Sequence, residues 1–151
     1  MVRIVVLGKP GAGKSTHAKI LAKKLKIKYI EAGDLLRKEA KKGTKIGKLI
    51  KEKIDKGEYA PDWITNKLVL KEAKKAKKGF VLSGYPRDEE QAEFFVKNFK
   101  VDLILDIDVD DEVIVKRLSS RRVCPKCGRI YNLLFEKPKK DMIDQELLEK
   151  D

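Results

Sequence analysis

The chain has 151 residues and 36 Lys plus Arg against 24 Asp plus Glu, giving a formal charge of +12 and an isoelectric point near 9.6. That length suits about one domain, and no window reaches the apolar length of a membrane span or a secretion signal, so a cytoplasmic protein is expected. Positive charge suits polyanions, but the lysines gather in helix-flanking blocks such as 71–78 without interleaved aromatics, which argues against nucleic acid. In chain order, Val2 to Leu7 (VRIVVL) reads as a short strand, and Ala18, Leu21, Ala22 and Leu25 recur at helical spacing. Between them, Gly8 to Ser15 (GKPGAGKS) fits the phosphate-loop pattern G-x-x-x-x-G-K-[ST]. Such a loop turns backbone N–H groups inward at Gly11, Ala12 and Gly13. Lys14 then reaches the β- and γ-phosphates, Ser15 can hold Mg²⁺, and the following helix points its positive end at the anion.

Lys28 to Ala32 reads as a second strand, and a helix opens at Gly33-Asp34, with Asp34 as N-terminal anion or cap, and runs to about Lys42. Gly43 stops it. A helix from Thr44 carries Ile46, Leu49, Ile50 and Ile54 on one face and ends near Gly57; another starts at Pro61-Asp62 and runs to the lysine block. Phe80-Val81-Leu82 is a buried strand delivering the loop Ser83 to Arg87, and Asp88 caps a helix holding Ala92, Phe95, Val96 and Phe99. Val101 to Val109 reads as the longest strand, followed by a helix capped by Asp110 or Asp111 and carrying Val113, Ile114 and Leu118. Strands alternating with helices predict an α/β fold, a parallel sheet covered on both faces. From Val123 the character changes: Cys124-Pro125-Lys126-Cys127-Gly128 is a knuckle-like turn, Arg129 to Phe135 can form a strand, and 136–140 is a charged loop, together a small insertion. High charge with three Asn and two Gln also matches a thermophile's usage. His17 reads as an exposed helical residue, and Trp63, Phe94 and Phe95 as core or hinge packing.

The phosphate loop, Ala32 to Arg37 (AGDLLR), Gly57 to Asp62 (GEYAPD), Gly79 to Arg87 (GFVLSGYPR) with Gln91-Ala92-Glu93, and Arg117 to Cys124 (RLSSRRVC) together resemble the adenylate kinase family and its nucleoside-monophosphate kinase relatives. The match spans essentially the whole chain. The resemblance implies a P-loop three-layer fold, with residues 1–120 as core, nucleoside-monophosphate-binding helices at about 32–62, and 121–151 as a partial lid. It also implies transfer of the γ-phosphoryl group of Mg·ATP to AMP, a reaction that needs alignment and charge neutralisation more than a protein nucleophile.

By resemblance, Lys14, Arg87 and Arg121 are catalytic. Gly11, Ala12, Gly13, Lys14, Ser15, Thr16, Arg117, Arg121 and Tyr131 bind ATP, with Ser15 or Thr16 beside Mg²⁺ and Arg117 stacked on the adenine. Ala32, Arg37, Tyr59, Ala60, Gly84, Tyr85, Arg87 and Gln91 bind AMP. Arg37 and Arg87 grip the acceptor phosphate. Gln91 reads the adenine edge, with a helix capping box from Asp88 to Gln91 as its competing and compatible role.

Three departures from the family pattern stand out. Ser83 occupies the place of an Asp that helps hold hydrated Mg²⁺, and brings no charge. Ala32 replaces a Ser or Thr and resembles UMP/CMP kinases, whereas Gln91 and the long cysteine-bearing lid point to AMP. Cys124 and Cys127 supply two of the four ligands a structural zinc site needs, so a turn held by hydrogen bonds is expected instead. The family continues with two further arginines, a final helix and a fifth strand. The chain is therefore expected to be a truncated form of a longer kinase, monomeric when complete, with Val101 to Val109 left as an apolar edge open to association. An AMP kinase is the leading expectation, a UMP/CMP kinase the second, and an ATP-binding fragment with little turnover the third.

Overall fold

The computed structural model describes residues 1–9, 11–123, 130–133 and 149–150. Cys124, Cys127 and the 136–140 loop lie outside them. The chain forms two compact units, one of Met1–Gly8 and Gly13–Ile107 and one of Lys9–Ala12 and Asp108–Asp151.

The first unit runs β1 (Val2–Gly8), α1 (Lys14–Leu25), β2 (Lys28–Glu31), α2 (Ala32–Ala40), α3 (Lys45–Asp55), α4 (Asp62–Lys75), β3 (Gly79–Ser83), α5 (Glu89–Asn98) and β4 (Leu103–Ile107). All four strands are parallel, in the order β2-β3-β1-β4. Alternation along β1 explains the layering. Ile4 and Val6 pack with Val81 against Ala18 and Ala22 of α1, while Val5 faces the opposite way into Phe80, Leu82, Val69, Ala73 and Phe95. Every residue of the inner strand β3 is buried, as a strand covered on both faces requires. A separate cluster of Ile50, Ala60 and Ile64, with Leu36 and Leu49, joins α2, α3 and α4.

The helix starts show which local signals decide boundaries. Asp88 caps α5 as predicted, by accepting from the Gln91 N–H at 2.8 Å, and Thr44, where a helix start is predicted, caps α3 by accepting from the Gly47 N–H at 2.9 Å. Helix α2 corrects its prediction. It begins at Ala32, inside the predicted strand, because Glu31 serves as cap and accepts from the Asp34 N–H at 2.7 Å; of the two roles expected of Asp34, the first-turn anion is the one it takes. It also ends at Ala40, before Lys42. Strand β4 spans only Leu103–Ile107 of the predicted nine residues; it lies at a sheet edge, and its Leu103 and Ile104 are exposed. Trp63 is 56% exposed and leaves the core to Phe95, and His17 is exposed as expected.

The second unit holds α6 (Asp111–Ser119), β5 (Arg121–Val123), β6 (Ile130–Asn132) and β7 (Glu149–Lys150). These strands form an antiparallel sheet in the order β6-β5-β7. Neither predicted aspartate caps α6 through its side chain: Asp110 makes no cap bond, and Asp111 instead takes the Lys9 ammonium at 2.9 Å. That contact holds the Asp111 carboxyl below its usual range and raises the lysine. The Asn132 amide donates to the Arg117 carbonyl at 3.1 Å, and the Leu133 N–H to Ser120, tying β6 to the end of α6.

Candidate active site

The phosphate-loop backbone turns through the left-handed region, as an anion-cradling loop demands. Gly11 and Gly13 have φ of 84° and 89°, in the left-handed region that side chains disfavour. Gly13 is also the N-cap of α1, with no side-chain cap, and the first turn of α1 contains no acidic residue. The helix therefore starts with donors that no local carboxylate satisfies, the arrangement that favours phosphate. The Lys14 ammonium donates to the Gly8 carbonyl at 3.1 Å. Ser15 is half-buried and Thr16 exposed on the same turn. In the second unit, Gly11 packs so closely on Leu118 and Ile114 of α6 that an added Cβ would lie 2.9 Å from the Leu118 Cγ. There the Arg117 guanidinium sits 3.5 and 3.4 Å from the carbonyls of Gly11 and Ala12. Arg121 is half-buried in β5, and Tyr131 is buried in β6.

At the end of β3, the Ser83 hydroxyl is fully buried and has no hydrogen-bond partner among the described residues, and neither does the Tyr29 hydroxyl. Burial pushes the Tyr29 phenol up to about 12. Hydroxyl oxygens at a helix start are hard ligands of the kind Mg²⁺ takes, and a buried unsatisfied hydroxyl such as that of Ser83 can accept from a metal-bound water. The residues present therefore fit a Mg²⁺ ion carried with a nucleotide.

A cavity of about 290 Å³ opens beside α2, α4 and α5, lined by Ala32, Leu36, Tyr59, Ala60, Gly84, Arg87 and Gln91 together with Asp62, Thr65 and Asp88. Its polar wall is organised by Gln91. The Gln91 amide oxygen accepts from the Arg87 N–H at 2.8 Å, and its NH₂ group donates to Asp62 at 2.8 Å. The expected capping box is thus half formed: Asp88 caps Gln91, but the returning bond reaches Arg87 rather than Asp88. An amide oxygen has two lone pairs and an NH₂ group two hydrogens, so one acceptor and one donor position remain for a ligand. Burial, reinforced by the neighbouring Asp88 carboxyl, raises the Asp62 carboxyl above its usual range. The Arg87 guanidinium donates to the Gly84 carbonyl at 3.1 Å and stacks 4.7 Å over the exposed Tyr59 ring.

Two of the predicted acceptor residues sit elsewhere. Tyr85 turns inward, is fully buried, and donates its hydroxyl to Asn66 at 2.6 Å, so it supports the cavity from behind. Arg37 does not line the cavity; its guanidinium meets Asp34 at 2.6 Å and Glu31 at 3.3 Å. Sequence reasoning missed Glu31 and Asp62 as site residues. Asp62 meets Gln91 across 29 residues, a pairing no local pattern announces, whereas the Glu31-to-Asp34 spacing of a capping residue was readable.

A family model described as Adenylate kinase matches residues 6–149. The chain is 46% identical over 149 residues to the Adenylate kinase of Kosmotoga olearia, covering 94% of this chain and 69% of that protein. It is 46% identical over 145 residues to that of Petrotoga mobilis, with 93% and 67% covered. With that of Thermotoga neapolitana the identity is 45% over 149 residues, covering 93% and 68%. No helix among the described residues is long and apolar enough to cross a membrane.

Proposed function

The chain belongs to the adenylate kinase family, an ATP:AMP phosphotransferase family, and we propose that its phosphate loop holds the ATP while the cavity around Gln91 takes the AMP. The observation that carries this division is the Gln91 amide, fixed by Arg87 on one side and Asp62 on the other with one donor and one acceptor position open. Adenine presents a complementary donor and acceptor on one edge, so an amide locked in this orientation favours it. Uracil lacks the amino group; cytosine carries an amino group beside a ring nitrogen as adenine does, but on a single ring, so the amide and the size of the cavity act together. Ala32 contributes a methyl group to the wall and no hydroxyl.

Phosphoryl transfer places the growing charge on oxygens that cations and amides can meet. Lys14 and the amides from Gly11 to Thr16 serve the donor phosphates, supported by the left-handed glycines and the acid-free first turn of α1. Mg²⁺ bound with ATP would sit by Ser15 and draw charge from the donor phosphates. Arg117 serves the ATP base, and Arg121 and Tyr131 the rest of the donor nucleotide, readings supported by their match to the family pattern. Arg87, held on Gly84 and Tyr59 at the cavity, and Arg37 serve the acceptor phosphate; Tyr59, Ala60, Gly84 and Tyr85 shape its nucleoside site. A cytoplasmic location and, for the complete kinase, a monomer are the states that match this reading.

ADP formation measured separately with AMP, UMP and CMP, with and without Mg²⁺, tests the reading. AMP should be the preferred acceptor, and Arg87→Ala should lower kcat/KM for AMP by about a hundredfold or more, the scale of a lost charge-assisted contact to a reacting phosphate. Preference for UMP, or an Arg87→Ala enzyme with unchanged kcat/KM, would overturn it.

A further inference from the structure

The first turn of α2 is a natural anion site, with free N–H groups and the positive end of the helix dipole. The chain fills it with its own side chain. Glu31 is the last residue of β2 and the cap of α2, and its carboxylate accepts from the Asp34 N–H at 2.7 Å while meeting the Arg37 guanidinium at 3.3 Å. Its other oxygen lies against Gly84, where an added Cβ would stand 2.5 Å away. Gly84 in turn lines the acceptor cavity, and its carbonyl holds the Arg87 guanidinium. The Glu31 side chain is only 12% exposed, so this carboxylate is fixed in place at the corner where α2, the Gly84 loop and Arg37 converge.

We propose that Glu31 is a resident competitor of the acceptor phosphate: together with Asp34, whose carboxylate meets the same guanidinium nitrogen at 2.6 Å, it holds Arg37, and AMP binds by taking that guanidinium from the pair. This rests on the reading of Arg37 as an acceptor-phosphate ligand. A carboxylate and a phosphate monoester offer the same pair of oxygens to a guanidinium fork, but the phosphate brings more charge. Apparent affinity is the intrinsic affinity multiplied by the fraction of sites in which the arginine is released. Glu31 is therefore a positioning residue that weakens acceptor binding and does so only for ligands carrying the phosphate. Adenosine, which shares the base and sugar, makes no demand on Arg37.

The test is calorimetric titration of the full chain with AMP and with adenosine, joined to steady-state kinetics. Two variants remove the charge and keep a cap acceptor, Glu31→Gln and Glu31→Ser, and thermal melting checks that each folds. Both should bind AMP about twofold to fivefold more tightly, the range for relief of a partly exposed ion pair. KM for AMP should fall in step, with adenosine binding and KM for ATP unmoved. In an Arg37→Ala background the gain should vanish. Unchanged or weaker AMP binding in the folded variants would overturn the proposal, as would an equal gain for adenosine or a gain that survives without Arg37. The underlying reading fails in a different way: Arg37→Ala alone would then leave AMP affinity where it was.

Discussion

Ser83 carries a hydroxyl that is fully buried and meets no partner among the described residues. A buried polar group without a hydrogen bond costs about 1–3 kcal/mol of desolvation, so removing it relieves a penalty and forfeits no bond. Ser83→Ala should therefore leave thermal stability unchanged or raise it by up to about 1 kcal/mol, the opposite of the usual cost of trimming a buried residue. A clear loss of stability in a melting experiment would show that the hydroxyl is satisfied in the folded protein. This residue marks a boundary of what the sequence could reveal. That position 83 departs from its family was legible from the motif alone; that the hydroxyl is orphaned beside Tyr29 depends on two strands brought side by side. Gln91 divides similarly. Its place in a helix start was readable from Asp88 three residues earlier, but the bonds that orient its amide come from Asp62 and the Arg87 backbone.

At the scale of elements, caps and glycines located most boundaries because their signals are local: a side-chain oxygen meets an amide three residues on, as at Thr44 and Asp88. The failures have long-range causes. The strand pattern of Lys28 to Ala32 runs one residue too far, because a glutamate cap at Glu31 ends the strand and opens α2. Strand β4 proved shorter than its apolar pattern: its ladder pairs Leu103–Ile107 with Ile4–Gly8, and at Asp102 the side chain takes the Arg3 N–H in place of a ladder carbonyl. The attachment of β2 to α4 was also invisible in the sequence. The Lys28 ammonium meets Glu72 at 2.6 Å, and this bond, more than the Coulomb attraction, holds the Glu72 carboxyl below its ordinary value of 4.5. A depressed carboxylate contributes stability above its unfolded value and loses it as pH falls through its folded value. Both side chains are partly solvated, so the contribution is about 0.5 kcal/mol after screening. Glu72→Gln should lose that amount at pH 7, and the melting curves of the two proteins should converge as pH falls below the ordinary glutamate range. A difference that persists at low pH would assign the effect to packing instead.

For the whole molecule, the order β2-β3-β1-β4 brings the C-terminal ends of β1 and β3 side by side, with Val6 registered against Ser83. Ligands of open parallel sheets bind beyond such strand ends. The phosphate loop follows β1, and the loop bearing Gly84 and Arg87 follows β3, so one topological fact accounts for two motifs 70 residues apart in sequence. It also yields a prediction independent of turnover. A ligand that binds only the folded protein stabilises it by mass action, about 2.7 kcal/mol at a hundredfold excess over its dissociation constant. For a chain of this size, that is a rise in Tm of about 5–10 °C. A dinucleotide joining two adenosines through a polyphosphate should reach this shift at a far lower concentration than ATP or AMP alone if the proposed division of the site holds, since its second contact is then intramolecular. Arg87→Ala should shrink the advantage of the dinucleotide over ATP while leaving the ATP shift intact. Equal half-maximal concentrations for the dinucleotide and ATP would mean that the cavity around Gln91 does not take an adenine nucleotide alongside the phosphate loop.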